Sequence, residues 1–287
     1  MDLDVALRNT YTACVDIDDN LHDLKVLAGV NTAVTAVGTG LGVGAVATGF
    51  VKASTDKEIE ELEKELIRLS DEYEGLEPTQ ADRVAFLQEC DEYEILHEKD
   101  TTEKIDELTK KSKKLGSWRT GLLAGNTVTN VAGAIIASRT INKDDISGQV
   151  AACVSATKDL NNAIVAAKVN GEDVSEAKQI YEACREYEYV DISPINNRGM
   201  GAMISSSVGA GLGGVGTITS GIANSDKIRD NNTEKGKQKE KNLNTTSNVL
   251  AVGATVASAT ATVFNATQIA ALKKVAKVSE NCTGVLK

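Results

Sequence analysis

Residues 26–51 read VLAGVNTAVTAVGTGLGVGAVATGFV, twenty-six positions with six glycines and no charge. Val30, Val34, Val37 and Leu41 recur at three- and four-residue steps, which is one stripe of an α-helix. Gly38 with Gly42, and Gly40 with Gly44, form small-x-x-x-small rows beside that stripe. Each glycine costs a helix about 1 kcal/mol relative to alanine. Several in one helix require a compensating gain, and close approach between helices supplies it. The stretch therefore reads as a helix packed against other helices.

Three more stretches share its character: Thr120–Ser138, Gly199–Ser225 and Asn242–Leu272, all free of charge. Gly121 with Gly125, and Gly209 with Gly213, repeat the four-residue spacing, and Gly211 stands beside the second pair. The stretches belong to an internal duplication. Tyr11-Thr-Ala-Cys14 recurs as Tyr181-Glu-Ala-Cys184, and Val37-Gly-Thr-Gly-Leu-Gly42 as Val208-Gly-Ala-Gly-Leu-Gly213, at offsets of 170 and 171. Thr129-Asn-Val131 matches Ser247-Asn-Val249 at an offset of 118, so the first copy holds about fifty extra residues. Chance likeness among Gly/Ala/Thr-rich segments is the competing explanation. The expected organisation is one repeat over 1–145, with apolar helices near 26–53 and 116–141, and a second over 146–287. The second has entry helices near 147–190 and apolar helices near 199–225 and 242–277.

The extra residues lie between about 55 and 115, where the composition turns to Glu, Lys and Leu. Thr55-x-x-Glu58 has the form of a capping box. Ile59, Leu62, Leu66, Leu69, Tyr73 and Leu76 follow the seam of a coiled coil, and Gly75 to Pro78 breaks the run. Val84, Leu87, Cys90, Ile105 and Leu108 form a second amphipathic run. A coiled-coil hairpin or a solvated helical arm fits this pattern equally well. The corresponding link of the second copy, Asp226 to Lys241, is short and charged and reads as an exposed turn. The fold class is all-α: two tandem helical hairpins with Gly/Ala-rich packing faces, the first carrying a coiled-coil insertion.

The bulk composition narrows the function. The chain has 287 residues, 31 basic and 41 acidic, and a net charge of -10. A nucleic-acid binder needs a basic surface, so none is expected. Only 3% of residues are aromatic, too few for base-stacking platforms. Pro78 and Pro194 are the only prolines, so long helices are permitted almost throughout. The opening MDLDVALRNT is polar and acidic and does not read as a secretory signal peptide.

Catalytic signatures are absent. His22 and His97 sit among charged residues, outside any H-E-x-x-H pattern. There is no nucleophile elbow and no phosphate loop. Gly209-x-Gly211-x-x-Gly214 matches the dinucleotide fingerprint in letters, but it lacks the preceding strand that the motif requires. The Asn-x-Thr matches carry no weight in an Asn/Thr-rich chain. No catalytic residue, metal, cofactor or small-molecule substrate is expected.

Five cysteines remain. Cys14, Cys153, Cys184 and Cys282 flank the outer ends of the two hairpins, and Cys90 lies in the insertion. The hairpins bring Cys14 towards Cys153 and Cys184 towards Cys282. Either bridge would close about 100 residues or more, worth roughly 4–5 kcal/mol by chain entropy. A Cys153–Cys184 bridge, or unpaired buried thiols, are the alternatives.

Two environments suit the charge-free helices. They are long enough to span a bilayer, yet Asn31, Asn126, Asn130, Asn248 and Asn265 make them only moderately apolar. The favoured expectation is a non-enzymatic structural or assembly protein of the cell envelope, self-associating into an oligomer or filament through small-residue faces. The alternative is a membrane-inserting or pore-forming protein with four spans. In that case Lys52, Lys113, Lys114, Arg119, Lys227, Arg229 and Lys241 flank the spans on one side, as cytoplasmic loops do.

Overall fold

The computed structural model describes residues 2–74, 82–142, 146–229 and 233–286, without the side chains of 69–98, 142, 226 and 229. Among these residues there is no strand. Eight α-helices run in chain order: α1 (Leu3–Cys14), α2 (Ile17–Glu74), α3 (Asp82–Asn142), α4 (Ile146–Val169), α5 (Ser175–Cys184), α6 (Ser193–Ala223), α7 (Asp226–Arg229) and α8 (Glu234–Leu286). A 3-10 segment, Arg185–Tyr189, follows α5.

The helices are longer than the hydrophobic pattern alone suggests. Residues 26–51 and the charged stretch after Thr55 share the single 58-residue α2, and 120–138 closes the 61-residue α3. No proline interrupts either charge-free stretch. Pro194 occupies the first turn of α6, where its missing N–H is not needed. Of the region expected as an exposed turn, Asp226–Arg229 form a four-residue helix and 234–241 the first turns of α8. Lys237, Glu240 and Lys241 there pair with α2 through Glu63, Lys52 and Glu60, which extends the helix past the apolar part. The expected break at Gly75–Pro78, and the side chains of Leu69, Tyr73, Leu76, Val84, Leu87, Cys90 and His97, lie outside the described residues. The described part of the insertion is antiparallel, with Lys104 on Glu58 at 3.3 Å and Ser112 on Asp56.

The chain forms two compact units, and each draws on both halves of the sequence. Unit 1 comprises 1–39, 127–210 and 255–287; unit 2 comprises 40–126 and 211–254. In unit 1, segments of α2, α3, α6 and α8 pack with α1, α4 and α5. Ile17, Leu21, Leu24, Leu160, Ile164, Ile195, Leu272 and Val275 form its apolar core. Gly171, at φ +80°, makes the tight turn between α4 and α5, a conformation that costs glycine nothing. Asp173 and Asp191 each accept from the N–H and hydroxyl of a serine two residues on, which starts α5 and α6. Those bonds hold both carboxyls below the usual carboxylate range.

In unit 2 the four long helices alternate in direction. Leu41 meets Gly125 between α2 and α3, Thr120 meets Ser220 between α3 and α6, Ser247 meets Gly216 between α6 and α8, and Lys52 meets Glu240 between α2 and α8. Its apolar cluster is small: Ala45, Leu123 and Ala251, flanked by Val46 and Leu122.

Candidate functional site: a polar helix interior

Among the alanines and glycines buried along the charge-free helices stand many polar side chains. In unit 1, Asn31, Thr35, Asn130, Ser206, Ser258, Asn265 and Gln268 are all at most 1% exposed. Asn31 Nδ2 donates to Asn265 Oδ1 at 3.0 Å, and Asn265 Nδ2 to Thr35 Oγ1 at 3.4 Å. Asn130 and Ser258 exchange two bonds, at 2.7 and 3.0 Å. Gln268 Nε2 donates to the Ile195 carbonyl at 3.1 Å. In unit 2 the buried set is Lys52, Thr55, Ser112, Arg119, Asn126, Ser220 and Ser247. Ser247 Oγ donates to the Gly216 carbonyl at 2.9 Å. Lys52, 1% exposed, lies 2.6 Å from Asp56 and 3.4 Å from Glu240.

The outward positions are aliphatic. Unit 1 exposes Val30, Val37, Val128, Val131, Ile135, Ile204, Val208, Val256 and Val263; unit 2 exposes Val43, Phe50, Val215, Ile218, Val249 and Val252. Val128 is 67% exposed, whereas Asn130, two residues on, is 0%. Beside the apolar clusters of the two units, the charge-free helices thus bury many amides and hydroxyls and turn valine and isoleucine outward, against the usual preference. Outward hydroxyls are satisfied inside their own helices. Ser207, Thr219, Thr245, Thr260 and Thr267 each donate to the carbonyl four residues back.

The glycines singled out in the sequence divide. Gly38, Gly42, Gly209 and Gly213 are buried. A Cβ on Gly44 would meet Leu122 at 3.4 Å, and one on Gly125 would meet Leu41 at 3.0 Å. Gly40, Gly121 and Gly211 are exposed, with nothing within 4 Å of where a Cβ would stand. The tightest notches, at Gly209 and at two glycines outside that set, receive carboxamides. A Cβ would meet Asn248 Oδ1 at 2.2 Å from Gly49, Asn224 Oδ1 at 2.1 Å from Gly116, and Asn130 Oδ1 at 2.7 Å from Gly209. Sequence spacing along one helix does not reveal which asparagine of another helix faces a glycine. An asparagine inside a charge-free stretch is the available signal.

Four cysteines gather in the apolar core of unit 1, each at 0% exposure. Cys14 and Cys153 stand at bonding distance (S–S 2.01 Å), as do Cys184 and Cys282 (2.00 Å). The sulfurs of Cys14, Cys184 and Cys282 lie within 4.8 Å of one another, so the two bridges are neighbours. Tyr187, 1% exposed, packs in the same core. Burial pushes its phenol up to about 12, partly opposed by the hydroxyl of Ser279. His22 is exposed.

No protein family, characterised protein or solved structure matches this chain.

Proposed function

We propose that this chain is a non-enzymatic, membrane-embedded helical protein of the cell envelope. Its four charge-free segments cross the bilayer, and its cysteine-linked end lies on the oxidising side. The observation that carries this reading is the polarity of the charge-free helices, with amides and hydroxyls among their buried side chains and valine and isoleucine outside. Water disfavours both halves of that arrangement. Hydrocarbon favours both, because polar side chains then pair across helices and small residues allow close packing.

Further observations agree. Three helical regions are long and apolar enough to cross a membrane by length and composition. Glycine and serine dilute α6, yet its outward side chains include Met200, Ile204, Val208, Val215, Ile218 and Ile222. The hydroxyl-to-carbonyl bonds leave few outward donors unsatisfied, as lipid requires. Phe50 and Trp118, each 63% exposed, flank charge-free segments at the positions that interfacial aromatics occupy.

The basic residues do not fix the sidedness. Lys25, Arg139, Lys143, Arg198, Lys273, Lys274 and Lys277 match in number the seven that flank the opposite ends. The cysteines support the assignment, because disulfide bridges generally persist in oxidising compartments. Cys184–Cys282 lies within the second proposed repeat, and Cys14–Cys153 ties the start of the first to the start of the second.

In the second reading, further copies of the chain rather than lipid cover the outward faces, giving a soluble assembly. The low apolar content of α6 favours it. Carbonate extraction followed by liposome flotation separates the two readings. The membrane reading predicts that the protein resists carbonate and floats with vesicles. A detergent-free oligomer that stays at the bottom of the gradient would overturn it in favour of assembly in water.

A further inference from the structure

Unit 2 buries two cations, and they are treated differently. Lys52 and Arg119 are each 1% exposed. Lys52 has two carboxylates, Asp56 and Glu240. Arg119 has no carboxylate within 4 Å among the described residues. Its one hydrogen bond runs from Nη2 to the Asn244 carbonyl, at 3.5 Å. Its Nε–H is buried without a partner, and so are the Oδ1 atoms of Asn244 and Asn248. Two of these groups face Gly49, where a Cβ would stand 3.1 Å from Arg119 Nε and closer still to Asn248 Oδ1.

A buried charge with one long bond to a neutral carbonyl is expensive, and proteins normally pair such charges. The missing partner is an anion. We propose that unit 2 binds a small monovalent anion of the chloride class against the Arg119 guanidinium, beside Gly49. The two asparagines complete the site. Rotating each carboxamide by half a turn exchanges its O and N positions, so an Nδ2–H replaces a lone acceptor. Arg119 Nε–H and the Asn248 amide N–H then face the same notch at Gly49, with Asn244 next to the guanidinium through its carbonyl. This set suits a single charge. A phosphate would bring about two charges and four oxygens to one guanidinium and two amides. Asp56 and Glu240 are the acidic groups nearest the site in sequence, and both are engaged by Lys52.

The proposal rests on the packing of unit 2 and not on the bilayer reading, so it is tested on the full chain in detergent. Thermal unfolding is followed by helical circular dichroism at fixed ionic strength, with gluconate replaced stepwise by chloride or bromide. The expected result is a rise in Tm with halide. Above its Kd, each tenfold increase in halide raises the folded-to-unfolded ratio close to tenfold. Arg119→Met should lose this response, and Arg119→Lys should keep part of it. A wild-type protein indifferent to the anion would overturn the proposal, as would an Arg119→Met variant that responds equally. Should Arg119→Met fail to fold, bromide-soaked crystals of the wild type decide. An anomalous peak within contact distance of the guanidinium supports the site, and a blank map there overturns it.

Discussion

Asn130 shows what a carboxamide does in this interior. It sits two residues from an outward valine, faces the notch at Gly209 and exchanges two bonds with Ser258. Truncating one partner removes both of these bonds at a buried site, which costs about 1–3 kcal/mol. The double-mutant cycle Asn130→Ala with Ser258→Ala should give a coupling of about 0.6–1.7 kcal/mol, the range seen for such bonds inside membrane bundles. A coupling near zero by denaturant titration would show that the pair is incidental. Tyr187 makes a separate prediction in the core of unit 1. Its phenol titrates near 10 in the unfolded chain and about 12 in the folded one. Between those values the folded chain holds a proton that the unfolded chain has lost, so stability falls as pH rises through that window. The slope is about 1.4 kcal/mol per pH unit. Tyr187→Phe should flatten that part of the stability curve.

The helices set the scale at which the sequence was most readable. A chain with two prolines and long charge-free stretches at helical spacing leaves little but helix, and all-α architecture follows. The continuity of α2 and α3 was not readable. A sharp change of composition at Thr55 resembles a boundary, yet backbone hydrogen bonds run on regardless of which solvent the side chains face. The inside and outside of each helix were also hidden. Valine rows and glycine rows both look like packing surfaces in a sequence, and only contacts with neighbouring helices show that asparagine and serine point inward. Glycine substitutions expose the difference. Gly40→Ala and Gly121→Ala enter open space and should stabilise their helices by up to about 1 kcal/mol. Gly209→Ala should push Asn130 off Ser258 and destabilise by about 1 kcal/mol or more. Thermal melts of the three variants check the order, and equal effects at all three sites would contradict the assigned faces.

At the scale of the whole molecule, the account joins an apolar core locked by cysteines to helical segments turned inside out for lipid. Cys14–Cys153 and Cys184–Cys282 are separated by 139 and 98 residues in sequence. Removing each bridge should cost about 4–5 kcal/mol on the chain-entropy model. Reduction should therefore lower Tm by many degrees, while Cys14→Ser with Cys153→Ser should retain one of the two bridges on non-reducing mass mapping. The decisive question is what touches the outward valines. Replacing the single tryptophan and moving it to the middle of the charge-free part of α3, as Trp118→Phe with Val128→Trp, places one fluorophore on the proposed lipid side. In reconstituted vesicles, lipids brominated along the acyl chain should quench that tryptophan strongly and aqueous iodide should not. Strong quenching by iodide with none by brominated lipid would contradict the account.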